Sequence, residues 1–277
     1  YVNDRLLVFK ELKDCWVPVH AKIIQDKDGQ EFVGTSSELL GDINYYSWIG
    51  GIGDYTESYA SNGNMKYHVS VNSGIIARIG GDGITPLSET YHLDNEVRAL
   101  LSLASANGAR FIGGFHRKYG NYLLHVTQTA KTPATTIAYN EKERKFVSYY
   151  NMYPETMIGF NDEFFMFKNG SLWEQDVNPI RNNFFGVQYK SVVEFYANTN
   201  HEVQKNYSTI HVESNKPWGA PNKGDLKIYP VEGKSQGMLS RIKKGDFKKI
   251  QGTWFADFKR NMADPRFTDE NLALFKG

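Results

Sequence analysis

One cysteine in 277 residues, Cys15, rules out an intrachain disulfide framework. Its place in a strand-like run reads as a buried thiol rather than a nucleophile. Net charge is almost absent as well: 32 Lys and Arg against 31 Asp and Glu leave +1, so no overall field draws the chain onto nucleic acid or an anionic membrane. DNA contact is therefore expected to be transient at most. No apolar run approaches the roughly 18 residues that a membrane helix needs, and no membrane insertion is expected. The chain opens at Tyr1 directly in a strand-like run, as expected of a piece of a longer polypeptide.

What is present is aromatic and turn-rich. Aromatic residues make up 14 % of the chain, apolar residues 40 %, and there are 25 glycines. Residues 110–177 read as one four-stranded antiparallel unit. Its strands cover 110–116, 119–127, 135–150 with a central turn, and 156–173 with another, separated by clusters of Gly, Asn and Asp. Asn169-Gly170 between two aromatic runs is the strongest hairpin signal, because both central residues of a type I′ turn need positive φ. Residues 7–20 overlay residues 137–150 without a gap, matching Leu7 to Ile137, Phe9 to Tyr139, Trp16 to Phe146 and the turn glutamates Glu11 and Glu141. The same hairpin is thus expected twice, roughly three blades apart at about 40 to 50 residues per propeller blade.

Elsewhere, Gly50-Gly51-Ile52-Gly53 predicts tight turns or close backbone approach. Residues 80–89 read as a Gly-Pro loop. Residues 92–104 predict a helix capped by Asp94, with Val97, Leu100, Leu101 and Ala104 on one face and Gly108 as its stop. A polar break at 178–183 separates a propeller-like region, 1–177, from a β-rich C-terminal region with an interface tail, 184–277. The predicted fold class is therefore mainly β: antiparallel propeller-like blades, not necessarily a complete ring, plus that second region.

The chemical motifs are weak. Gly233-Lys234-Ser235-Gln236-Gly237 has the spacing of a nucleophile elbow, but the triad histidine of that fold follows the serine and every histidine here precedes it. A P-loop would need glycine where Ile228 stands. Asp26, Asp28 and Gly29 only faintly imitate a calcium loop. Glu155, Glu163, Glu174 and Asp176 are acidic enough for glycosidase chemistry, yet each lies beside a turn or strand end where a solvated carboxylate is ordinary. His116 and His125 flank one predicted turn without a third metal ligand at suitable spacing. No catalytic residue, cofactor or metal is expected. The aromatic and basic residues Trp218, Lys243, Lys244, Trp254, Phe255 and Phe258 are the candidate interface, since an apolar stripe rimmed by Lys and Arg suits a subunit contact.

Ala138-Tyr-Asn-Glu-Lys, Phe146-Val-Ser-Tyr-Tyr, Pro154-Glu155 and Phe167-Lys-Asn-Gly-Ser-Leu-Trp173 together resemble the blades of crAss-like bacteriophage tail proteins. Arg117-Lys-Tyr-Gly-Asn-Tyr122, Phe185-Gly, Lys216-Pro-Trp218 and Gly237-Met-Leu-Ser-Arg241 are similar to flanking parts of that family. Phe146 and Trp173 stand where the pattern has Trp and Tyr, which retains aromatic packing. The resemblance implies a structural virion tail protein of the muzzle or stabilisation type, assembling at the DNA exit with other virion tail proteins and as a homo-oligomer. It brings no catalytic residues. The loops at 80–89 and 217–224 and the tail at 243–277 are the expected contact surfaces. A carbohydrate-binding or glycoside-hydrolysing propeller is the alternative, motivated by aromatics able to stack on sugar rings.

Overall fold

The structure, a computed structural model, describes residues 5–25, 30–48, 50–191, 208–218, 226–228, 240–242 and 244–257. The chain divides into two compact units, Tyr1–Val193 and Glu194–Gly277.

The first unit is a succession of antiparallel sheets, each made almost entirely by neighbours in sequence. The first contains β1 (Arg5–Val8), β2 (Cys15–Gln25), β3 (Glu31–Leu40) and the short β4 (Asn44–Tyr45), with β2 pairing all three others. The second is the meander β5 (Ala60–Asn62), β6 (Met65–Ser70), β7 (Ile75–Gly80) and β8 (Gly83–Pro86). Two helices follow, α1 (Leu87–Thr90) and α2 (Asp94–Ala106). The third sheet is β9 (Phe111–His116), β10 (Asn121–Val126), β11 (Thr135–Asn140) and β12 (Lys145–Tyr150). The fourth has β13 (Thr156–Phe160), β14 (Glu163–Lys168) and β15 (Ser171–Glu174) among the described residues. A small ladder of β16 (Asn183–Phe184) and β17 (Val187–Gln188) follows.

Residues 110–177 are therefore two sheets rather than one, although the strands fall where the sequence predicts them. The stretch 80–89 is ordered as β8 and α1, correcting the expected loop. Pro86 closes β8 opposite Ala77, on an edge strand where its missing N–H is tolerated. Helix α2 begins at Asp94 with Leu93 as N-cap, so Asp94 serves the first turn and not the cap. Its Val97, Leu101 and Ala104 are buried as expected, and Gly108 at φ +71° ends the run. The two overlaid hairpins both exist, but β1–β2 begins its sheet whereas β11–β12 ends one. Their registers differ too, Leu7 facing Trp16 and Tyr139 facing Phe146.

Sheets stack by alternation. On the third sheet, Phe111, Phe115, Tyr122, Leu124, Val126 and Tyr139 share a cluster with Tyr67, Val69 and Ile76 of the second sheet and with the buried face of α2. The opposite face supplies Ile112, Leu123 and Ala138 to a second cluster with Met157, Phe164 and Met166 of the fourth sheet. Strands β9 and β10 are consequently buried along their whole length, as a strand covered on both faces must be.

The first strands of successive sheets, β5, β9 and β13, run beside one another, and glycine permits it. A Cβ on Gly113 would overlap the Ser58 carbonyl, one on Gly159 would lie 2.8 Å from the Phe115 carbonyl, and one on Gly114 would lie 2.7 Å from Met157 Cβ. Gly51 likewise has no room for a Cβ beside the Lys10 carbonyl, the close approach expected of its run.

The second unit contains β18 (Thr209–Val212), β19 (Leu226–Ile228), β20 (Ser240–Ile242), β21 (Lys248–Ile250) and β22 (Thr253–Asp257). Strands pair in the order β18-β22-β21, and β19 pairs with β20. Its core is Val212, Ile242, Phe247 and Ala256, with Ile210 and Trp254 against it.

Candidate functional site

The titratable groups of the first unit mostly hold sheets and turns in place. Asp14 and His68 are both buried, with Asp14 Oδ2 3.1 Å from His68 Nε2. Asp14 Oδ1 accepts the Lys10 N–H at 3.0 Å, so one carboxylate joins the β1–β2 turn to the second sheet. Phe9 packs edge-on to His68 and to Tyr59 in the same junction. Glu141, in the turn between β11 and β12, accepts the Tyr67 hydroxyl and the Arg78 guanidinium, each at 2.8 Å. Arg78 also donates to Asp82 and Thr85. The sequence marks Glu141 only as a turn residue; its clamp on the second sheet lies far away along the chain and leaves no local signal. Burial, reinforced by Glu141, drives the Tyr67 phenol far above its usual pKa.

His116 and His125 do not converge on a common ligand. His116 Nε2 lies 3.0 Å from Asp176 Oδ2, and burial lowers its pKa despite that carboxylate. His125 directs Nδ1 at Thr136 Oγ1, 2.9 Å away, while Thr136 donates its own hydroxyl to the Met152 carbonyl. That chain assigns the proton to Nδ1, and burial lowers the His125 pKa to about 4. Among the described residues no group of three or more His, Cys, Asp or Glu is arranged to hold a metal ion. Of the four acidic candidates, Glu155 accepts the Asn169 N–H at 2.9 Å and Asp176 faces His116. Glu163 and Glu174 remain exposed on the fourth sheet.

A cleft of about 220 Å³ opens along β5, β9 and β13, with Phe115 and Met157 as apolar lining and Ser61, Arg117 and Asn161 as polar lining. It is smaller than the roughly 300–1,000 Å³ usual for small-molecule pockets. A second feature is a bare sheet face. Met157, Phe164 and Met166 point into the core, and the alternating positions point away from it. Ile158 is 54 % exposed, Phe160 64 %, Phe167 39 % and Leu172 57 %. The register sets Thr156, Phe167 and Leu172 side by side, and Ile158 beside Phe165. Glu163 faces Phe160 and Glu174 faces Phe165, giving this apolar face an acidic rim.

In the second unit the candidate interface residues are dispersed. Trp218 is exposed, Lys244 is half-buried in a single 3₁₀ turn, and Lys243 and Phe258 lie outside the described residues. Trp254 packs against the unit's core, donates its indole N–H to the Ser214 carbonyl at 3.1 Å, and has Lys249 Nζ 5.6 Å from its ring. Phe255, the next residue, faces the other way with His211 and Lys248 beside it in register. Ser235 of the elbow-like motif and residues 26–29 of the calcium-like loop also lie outside the described residues.

Residues 179–261 match the family model of the Crassvirus muzzle protein C-terminal domain. No curated protein matches the chain. The family match bears out the resemblance of the sequence to muzzle-type proteins of crAss-like phages. The family implies a structural, tail-related role and a virion-associated location.

Proposed function

We propose that this chain is a structural subunit at the muzzle end of a crAss-like phage tail, acting by assembly with copies of itself and other virion tail proteins around the DNA exit. The muzzle match over residues 179–261 carries the reading. The successive sheets of the first unit are blades of a β-propeller, supported by first strands that lie side by side and by face-to-face stacking. The second unit, with its aromatic and basic residues, supplies contacts to neighbours. A net charge of +1 suits a part that DNA passes without being held. The Asp14–His68 contact, the Arg78–Glu141 ion pair and the glycine contacts act as the scaffold of such a part.

Cross-linking and mass spectrometry of intact phage particles test this. The chain is expected in the particle, linked to tail subunits and to itself through residues of both units. Its absence from purified particles, or links to head proteins alone, would overturn the assignment.

A further inference from the structure

The family match begins at residue 179 whereas the second compact unit begins at Glu194, so residues 179–193 belong to the muzzle domain by sequence and to the first unit by packing. They contain the β16–β17 hairpin. It closes on itself: Phe184 pairs with Val187, the Tyr189 N–H donates to the Asn182 carbonyl at 2.8 Å, and the Gln188 side chain donates to the Arg181 carbonyl at 2.9 Å. Its two phenylalanines go to the first unit. Phe184 and Phe185 are half-buried against the cluster of Met152, Met157, Phe164 and Met166. The Phe184 ring stands edge-on to Tyr150 of β12 at 6.3 Å, and the Phe185 ring edge-on to Trp173 of β15 at 5.7 Å.

Phe185 sits where turn chemistry asks for something else. Both residues of the two-residue turn have positive φ, Phe185 at +53° and Gly186 at +79°, and a bulky side chain rarely tolerates that conformation. The turn between β14 and β15 has nearly the same φ values, +52° and +72°, with Asn-Gly, and nothing lies within 4 Å of a Cβ at its glycine. At Gly186, by contrast, the Trp173 ring is 3.9 Å from such a Cβ. The local turn therefore favours asparagine at 185, and the phenylalanine there is explained by the ring it places on Trp173.

We infer that the β16–β17 hairpin is a latch by which the muzzle C-terminal domain fastens to Tyr150 and Trp173, on the edge strands of the third and fourth sheets. Edge-on aromatic pairs of this kind stabilise beyond the area they bury. The Asp176–His116 contact holds the chain just ahead of the hairpin to β9. Closed, the latch keeps the chain on the first unit as far as Tyr189; open, the tether to the second unit starts at Val177. The inference rests on the assembly reading above for the part the domain plays, and assigns the surface that holds it.

Amide hydrogen exchange of the full chain tests the latch with Phe185→Asn. Were the hairpin a turn and nothing more, asparagine would suit φ +53° better than phenylalanine, and exchange over 178–191 would slow or stay the same. The latch predicts the reverse, with exchange there several-fold to about tenfold faster. Trp173→Ala, which leaves the hairpin sequence intact, should speed the same segment. In both variants β6 and β7 of the first unit and β18 and β22 of the second should exchange as in the wild type, because each core is kept. Slower or unchanged exchange over 178–191 in either variant would overturn the latch. So would exchange of β18 and β22 that rises in step with the hairpin, which would make the hairpin part of the second unit's own fold. Particle cross-linking keeps the two claims apart: a chain linked within the tail whose hairpin ignores these substitutions retains its role and loses the latch.

Discussion

At the scale of single residues, the third sheet combines two kinds of constraint, one steric and one electrostatic. Gly113 sits where β9 passes the Ser58 carbonyl, which also accepts the Tyr122 hydroxyl at 2.8 Å. Gly113→Ala should therefore destabilise the first unit by about 3 kcal/mol or more, because a backbone group or the whole strand must move; urea unfolding measures it, and a change under 1 kcal/mol would sink the close-approach account. His125 supplies the electrostatic constraint. Its pKa of about 4 in the folded chain lies below the ordinary 6.5, so the unfolded chain binds more protons between those values. The stabilisation is complete above pH 6.5 and is lost as pH falls toward 4, by roughly 2 to 4 kcal/mol. His116, also lowered by burial, adds in the same direction. His125→Asn keeps a donor near Thr136 and should flatten the profile over that window. Equal slopes in the two proteins would show that His125 is not held neutral by the fold.

At the scale of elements, local chemistry and long-range packing make different demands. The turn between β14 and β15 has Asn169 at φ +52° and Gly170 at +72°, as its Asn-Gly sequence requires. Nothing lies within 4 Å of a Cβ at Gly170, so Gly170→Ala should cost only the backbone strain of about 1 kcal/mol. The contrast with Gly113 is itself measurable by the same unfolding experiment. Helix α2 makes a parallel case. Leu101→Ala should cost about 2 to 5 kcal/mol, whereas Leu103→Ala on the exposed face should stay within about 0.5 kcal/mol. These elements are legible in sequence because their periodicity, stop signals and turn residues are local. Which strands share a sheet is not local: no letter between Tyr150 and Thr156 states that the third sheet ends and the fourth begins. Pro86 obscured β8 for a related reason, since only pairing with β7 makes an edge strand of it. The sequence offers a candidate interface as a run of aromatic and basic letters, but the split between Trp254 inward and Phe255 outward depends on the ladder that β22 joins. The bare face of the fourth sheet escaped because its residues look like any other alternating strand until the cover of each face is known.

At the scale of the whole molecule, each unit carries its own buried cluster. The cores of the first unit draw on residues between Tyr55 and Phe185, and that of the second on residues between Ile210 and Ala256. A body with its own core and consecutive antiparallel meanders has what independent folding requires: apolar burial and contacts mostly between strands adjacent in sequence. The fragment 1–193 should therefore retain the β-sheet circular dichroism and the thermal midpoint of the first unit within the full chain. If the fragment instead unfolds many degrees earlier, the first unit depends on the second for stability.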